Sequence, residues 1–435
     1  MKKTIIFASV IIAVLFAGCI PFEGNLDEVR EKANGGGTRY TITFESDGGS
    51  TVKDQKVKEG GTVKKPQDPT KSGWFFVNWF SDETLQTAYK FNTPVTANIT
   101  LYADWVVTGT PFYYVTFNSK GGSPIDAQTV YEGRRAYPPD DPALRGHDFD
   151  LWCTTDGTPP TTAYNFSSEV FGNLTLYARW DKVTDVPGAT LAEKFAWLNN
   201  NALSDTEYNV QANANESLGP QTLSYPDYAN ITIKLAGGSS SLARRTISLS
   251  GNGTMFRIGD GVTLSLVDYI TLQGHSNNIV SLVRVDSGGE LIMNNYSTIT
   301  GNRAANNGGG VYVANNGTFT MNGGTISANT ADGATPKGGG VFVEGQLLAP
   351  GGGGLQPGGS FIKTGGTIYG NDADENSRNK TTNSAGGMVP IGGNAACVYG
   401  MLGGPTGSMK RKETTAGPDS YGNLNSSTNT NWDAY

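Results

Sequence analysis

The residues that most often carry chemistry are scarce in this chain. There are two histidines, His147 and His275, and three cysteines, Cys19, Cys153 and Cys397, in 435 residues. A zinc site built on Cys/His clusters, a disulfide-stapled scaffold and any mechanism needing several histidines are excluded on that count alone. Acids outnumber bases, 39 Asp plus Glu against 32 Lys plus Arg, so the net charge is −7. Nucleic-acid binders carry a basic patch or stripe, and no such footprint is present. Glycine is abundant at 59 residues, and 40 of these lie between Gly237 and Gly422. The glycine runs Gly308-Gly-Gly310 and Gly338-Gly-Gly340 are not followed by Lys-Ser/Thr, so they are not phosphate cradles.

The first cysteine stands in a telling place. Met1-Lys2-Lys3 precedes an apolar run from Thr4 to Ala17, too short to span a bilayer comfortably. The pattern reads as a secretory signal peptide over 1–18. Its end, Leu15-Phe16-Ala17-Gly18-Cys19, resembles the lipobox of bacterial lipoproteins, although Phe16 departs from the commoner Leu or Val. The resemblance implies cleavage before Cys19 and acylation of its thiol, with several acyl chains giving stable anchoring. Residues 19–39, which include Gly35-Gly-Gly37, then read as a lipidated tether.

Self-comparison shows a duplicated module. Tyr40-Thr-Ile-Thr-Phe44 returns as Tyr113-Tyr-Val-Thr-Phe117, Gly48-Gly49 as Gly121-Gly122, Glu59-Gly60 as Glu132-Gly133, and Trp79 as Trp152. The endings Leu101-Tyr-Ala-Asp-Trp105 and Leu176-Tyr-Ala-Arg-Trp180 also match, after a two-residue insertion in the turn-rich segment Thr154 to Pro160. Each copy, 40–106 and 112–181, predicts an opening strand, a Gly-Gly turn, a second strand, a Pro-rich crossing and a closing β-branched and aromatic strand. The tryptophans are expected in a small core, and Cys153, which stands where the first copy has Phe80, is expected there as a packed thiol. These motifs resemble the internalin-type B repeat of the Listeria–Bacteroides repeat family. That resemblance implies compact β-grasp-like domains used in tandem on bacterial surfaces, with no catalytic residues.

A second set of repeats fills residues 186–409. Thr190-Leu-Ala-Glu193 is a capping box, and Leu191, Phe195 and Leu198 fall on one helical face, predicting a short helix to about Asn200. Beyond it, Thr271-Leu-Gln-Gly274, Thr298-Ile-Thr-Gly301, Thr325-Ile-Ser-Ala328 and Thr367-Ile-Tyr-Gly370 recur, the last after a long insertion that includes Gln346 to Gly358. Three short strands per 27–30 residues fit the rung of a right-handed parallel β-helix whose open end the helix would cap. Leu272, Ile299, Ile326 and Ile368 would then point inward, and His275, Asn302, Asn329 and Asn371 would stack at a turn. The rungs resemble those of autotransporter-like adhesins, and pectin-lyase-like enzymes share the architecture. The fold class expected is therefore mainly β, with residues 410–435 a tail or cap.

Polysaccharide chemistry on such a coil needs two carboxylates roughly 5–9.5 Å apart. The position after the rung glycine reads Val262, Glu290, Thr318, Ser360, one acid in four, and Asp268, Asp286, Asp332 and Glu344 fall in different registers. Arg244, Arg245, Arg257 and Arg284 are candidates for a basic face. No catalytic set emerges, and neither a metal nor another cofactor is called for. The sequence thus points to a non-enzymatic, lipid-anchored envelope protein, on the outer-membrane surface, bound to the membrane through Cys19. Its β-helix would meet a host protein or glycan. A polysaccharide lyase or hydrolase, or a passive stalk, is the alternative.

Overall fold

The computed structural model describes residues 37–333, 336–345, 347–348, 355–369, 379–382, 396–399, 409–411, 423–424 and 432–434. Cys19, the expected signal peptide and most of the expected tether lie outside them. The first module alternates buried and exposed positions along β1 (Arg39–Glu45), β2 (Gln55–Lys58), β3 (Trp74–Phe80) and β4 (Ile99–Val107). The sheet order is β2-β1-β4-β3, with β1 and β4 parallel and both outer pairs antiparallel. The second module repeats this with β5 (Phe112–Asn118), β6 (Gln128–Tyr131), β7 (His147–Cys153) and β8 (Leu174–Lys182). The crossings from β2 to β3 and from β6 to β7 contain no helix, so the β-grasp order is closed by extended chain alone.

The duplicated motif has a mechanical basis. Gly48 and Gly121 take positive φ values of 76° and 100°, and a Cβ on Gly49 or Gly122 would overlap the Trp105 or Trp180 ring. Each of those indoles donates its Nε1–H to the turn, Trp105 to the Ser46 carbonyl at 3.0 Å and Trp180 to that of Ser119 at 2.9 Å. The last tryptophan therefore bolts the closing strand onto the opening turn, and the glycine pair makes room for it. Behind it Phe44 meets Trp79, and Phe117 meets Trp152, edge to face at 5.0 Å in both copies. The expected aromatic core is present, and Cys153 is fully buried within the second module.

The modules are joined by charge as well as by apolar contact. Arg134 of the second reaches Asp104 of the first at 3.1 Å and donates to the Trp105 carbonyl at 3.2 Å. Asn92 donates to Asp140 at 2.6 Å and Arg135 to Gln86 at 2.7 Å. At the far end the second module meets the following helix: Arg145 donates to the Ala202 carbonyl at 3.1 Å and lies over the Tyr228 ring at 4.4 Å.

That helix, α1 (Leu191–Asn201), is one residue longer than expected and carries the full capping box. Thr190 accepts from the Glu193 amide while Glu193 accepts from the Thr190 amide. Leu191, Phe195 and Leu198 are buried against the first layer of a β-solenoid, with Phe195 packed on Phe256 at 5.3 Å. The predicted cap is thus in place.

The solenoid has three parallel faces, each six layers deep. Face 1 stacks Thr206–Gln211, Ile231–Ala236, Val262–Val267, Glu290–Met293, Thr318–Met321 and Ser360–Lys363. Face 2 stacks Glu216–Leu218, Arg245–Leu249, Ile270–Gln273, Thr298–Thr300, Thr325–Ser327 and Thr367–Ile368. Face 3 stacks Gln221–Leu223, Phe256–Ile258, Val283–Val285, Val311–Val313, Val341–Glu344 and Ala396–Tyr399. Three later turns also add a fourth short ladder, Arg303–Ala304, Thr330–Asp332 and Lys380–Thr382, which a three-strand rung did not anticipate. Trp432–Ala434 and Asn423–Leu424 pair antiparallel with the last layer.

The inward column Leu272, Ile299, Ile326, Ile368 is in register and buried. The polar column needs correcting at both ends. Its buried members are Asn278, Asn302, Asn329 and Asn379. Asn278 donates to the Asn302 side chain at 2.9 Å, the Asn302 amide to the Asn329 side chain at 3.1 Å, and the Asn329 amide to the Asn379 side chain at 2.9 Å. His275 turns outward to the Gly251 carbonyl instead, Nε2 at 2.7 Å. Asn371 lies outside the described residues, and its expected place is held by Asn379.

Candidate functional site

Outward positions of face 3 form the most chemically varied surface of the solenoid. Arg257, Arg284 and Tyr312 follow one another in register up this face, which ends at Phe342, a buried ring. The Arg284 guanidinium lies over the Tyr312 ring at 4.4 Å, and Tyr312 packs on Phe342 at 5.1 Å. At the ends of the same strands stand two acids. Asp286 accepts from Arg284 Nε at 2.7 Å and pairs with Arg257. Glu344 accepts the Tyr312 hydroxyl and, at 2.9 Å, the Asn315 amide. Burial and the Glu344 bond hold the Tyr312 phenol well above its ordinary pKa, so it remains a donor at every physiological pH.

This arrangement overturns one sequence expectation. Val285, Val313 and Val343 are paired partners, so the residues that follow them, Asp286, Ala314 and Glu344, share one column. The two acids therefore stand in the same register, two layers apart. Layers are about 4.8 Å apart, which sets the backbones of the two acids about 10 Å apart. The signal was the Val-x-Val unit, and it was hidden because Val283-Arg-Val285 lacks the Gly-Gly that marks the later layers. Both carboxylates are already engaged by partners. Those partners are the Arg257 and Arg284 guanidinium groups and the Tyr312 phenol, so the stripe is a closed set of paired polar groups.

The other candidates disperse. Glu290 pairs with Thr263 and Thr318, so Thr263 replaces Val262 in that column. Glu290 bonds the hydroxyls of Thr263 at 3.4 Å and Thr320 at 3.2 Å. Asp332 pairs with Arg303 at 2.6 Å, and Asp268 sits exposed at a positive-φ turn. Arg244 lies across face 2, donating to Thr271 at 3.2 Å and Thr298 at 3.3 Å, so the four arginines do not make one basic face. His147 is occupied by the Arg145 carbonyl at 2.9 Å. No cluster of three or more His, Cys, Asp or Glu that could hold a metal occurs among the described residues.

Comparison with known proteins bears on the modules. The family model of the Listeria-Bacteroides repeat domain matches residues 40–104 and 113–179. Both modules are Listeria-Bacteroides repeat domains. A putative Gly-rich membrane protein of Evansella cellulosilytica is 35% identical over 144 residues, 33% of this chain and 16% of its own length. A second putative membrane protein of that organism is 35% identical over 32% of this chain and 21% of its own length. Internalin H of Listeria monocytogenes is 29% identical over 167 residues, 38% of this chain and 28% of its own length. The matches thus span less than a third of each of these relatives. No solved structure matches the chain. Among the described residues no helix is long and apolar enough to cross a membrane. The repeat domains are joined to a solenoid, so the chain is a mainly β repeat protein with an internalin-like part.

Proposed function

We propose that this chain is a lipid-anchored, non-enzymatic adhesin of the bacterial cell envelope. The two repeat domains act as a rigid spacer, and the solenoid presents the Arg257–Arg284–Tyr312 stripe to a host or neighbouring-cell protein or glycan. One observation carries the reading: each unit is dovetailed to the next by specific polar contacts, Arg134 to Asp104 and Arg145 to Ala202. Such joints suit a part that holds a binding surface away from a membrane. The names of the relatives, two membrane proteins and an internalin, agree with a surface role. The lipobox supplies the anchor, with Cys19 as the acylated residue and the outer-membrane surface as the site of display.

Cys19→Ala tests the anchor. The variant is expected in the soluble or secreted fraction while the parent stays with the membrane; a membrane-bound variant contradicts acylation. A polysaccharide-cleaving solenoid is the second reading, favoured by the shared column of Asp286 and Glu344. Cleavage of a polysaccharide panel that disappears in Asp286→Asn or Glu344→Gln would establish it in place of the first.

A further inference from the structure

We infer that the junction between the two repeat domains is a binding site for a neutral saccharide, separate from the solenoid and independent of the adhesin reading. A cleft of about 880 Å³ opens there, walled by residues of both repeats. That volume lies in the range of small-molecule sites, which favour domain interfaces. Phe80 from the first repeat and Tyr137 from the second meet edge to face at 5.6 Å, and Tyr89 and Phe91 form a second such pair at 5.1 Å.

The chemistry of the lining selects the ligand class. Of its charged side chains three are basic and three acidic, so no net charge favours an ion. Asp104, only 4% exposed, is held by Arg134, and the pair forms a fixed polar group in the wall. The hydroxyls of Tyr89 and Tyr137 have no hydrogen-bond partner among the described residues. Both are therefore open to donate and accept. Phe80 is buried behind Tyr137, and the part-exposed rings of Tyr89, Phe91 and Tyr137 next to unspent hydroxyls suit a sugar ring, which offers apolar C–H faces and a rim of hydroxyls.

Comparison of the copies separates two kinds of lining: Tyr89 and Phe91 recur as Tyr164 and Phe166, which form the same edge-to-face pair, whereas other positions differ. Phe80, Asp104 and Tyr137 correspond to Cys153, Arg179 and Lys64 in the other copy. The repeat folds with either set, so these three residues are specific to the junction, and they stand beside an aromatic pair that every copy carries.

Calorimetric titration of the full chain with cellotetraose, chitotetraose, maltotetraose and the anionic tetragalacturonate tests the assignment. At least one neutral tetrasaccharide is expected to bind, and Tyr137→Phe and Tyr89→Phe should each weaken it about three- to tenfold, the loss of one hydrogen bond. Both variants keep the ring and the packing. Ser167→Trp, at an exposed position on the cleft wall, should abolish binding without altering thermal unfolding. The inference is overturned if no neutral tetrasaccharide binds, if the three variants leave binding unchanged, or if tetragalacturonate or a decaproline peptide binds more tightly than every neutral sugar.

Discussion

The two repeat domains share an interior and differ at the surfaces that meet a neighbour. Both bolt a tryptophan to a Gly-Gly turn and pack a phenylalanine on a second tryptophan at 5.0 Å. Yet Asp104 and Arg179 occupy the same place in the two copies with opposite charge. Asp104 is almost buried and answers to Arg134 across the junction, whereas Arg179 pairs with Asp150 of its own repeat and stays half-open. The equivalent of Arg134 in the first copy is Gly61, and that of Asp150 is Val77. Duplication supplied the fold, and divergence at a few outward positions turned two identical beads into an ordered pair.

The largest expected effect is at that joint. Arg134→Met leaves Asp104 without its cation and should cost about 2–3 kcal/mol, less than the 3–5 kcal/mol of a fully buried pair because Arg134 is 41% exposed. Chemical denaturation measures it, and Arg179→Met should cost under about 1 kcal/mol in the same assay. Equal losses would dissolve the contrast. Burial raises the Asp104 pKa while Arg134 pulls it down. Its ionised form is therefore the costly one in the folded state, and stability falls as pH climbs from the ordinary carboxylate value of 3.8 through the raised one. Arg134→Met should raise the Asp104 titration further, which carboxylate NMR would follow.

A change in the shared interior should treat the copies alike. Gly49→Val and Gly122→Val each force a side chain into a tryptophan and should cost about 2 kcal/mol or more. A strong effect in one repeat alone would show that the bolt matters in only one of them. The smallest effect concerns the loop after β3. Asp82 accepts from the Thr84 hydroxyl and the Gln86 and Thr87 amides, which lower its pKa to about 2; in the second repeat Thr155 accepts from Thr161 and Thr162 instead. The Asp82 contribution is complete above the ordinary carboxylate value of 3.8 and is lost as pH falls through about 2. Amide shifts of Gln86 should move in that window while those of Thr161 stay still.

Much of this architecture was legible because it repeats. Gly-Gly with a distant Trp, and Thr-Ile with a following Asn, recur because every copy meets the same steric demand. What the sequence hid has no such recurrence. Asn278 lies three residues beyond the position that spacing assigned to His275, since the turn there is longer by that much. Asn379 follows a stretch that spacing could not bridge. The fourth ladder begins only at Arg303, after the early layers have set a three-strand expectation. The junction pair Asp104–Arg134 has Arg179 and Gly61 as its counterparts in the other copies and so carries no periodic signal. The Asp286–Glu344 column was masked by a layer that lacks its glycines.

The proposal that the solenoid binds through face 3 is tested most directly by attachment of cells displaying the chain, with and without Arg257→Ala and Arg284→Ala together. Both side chains are partly exposed, so the double variant should still fold, with a lowered melting temperature because Asp286 loses both of its cations. The account predicts that attachment to host-cell or glycan-coated surfaces is lost. Attachment at the parental level in that folded variant would contradict it.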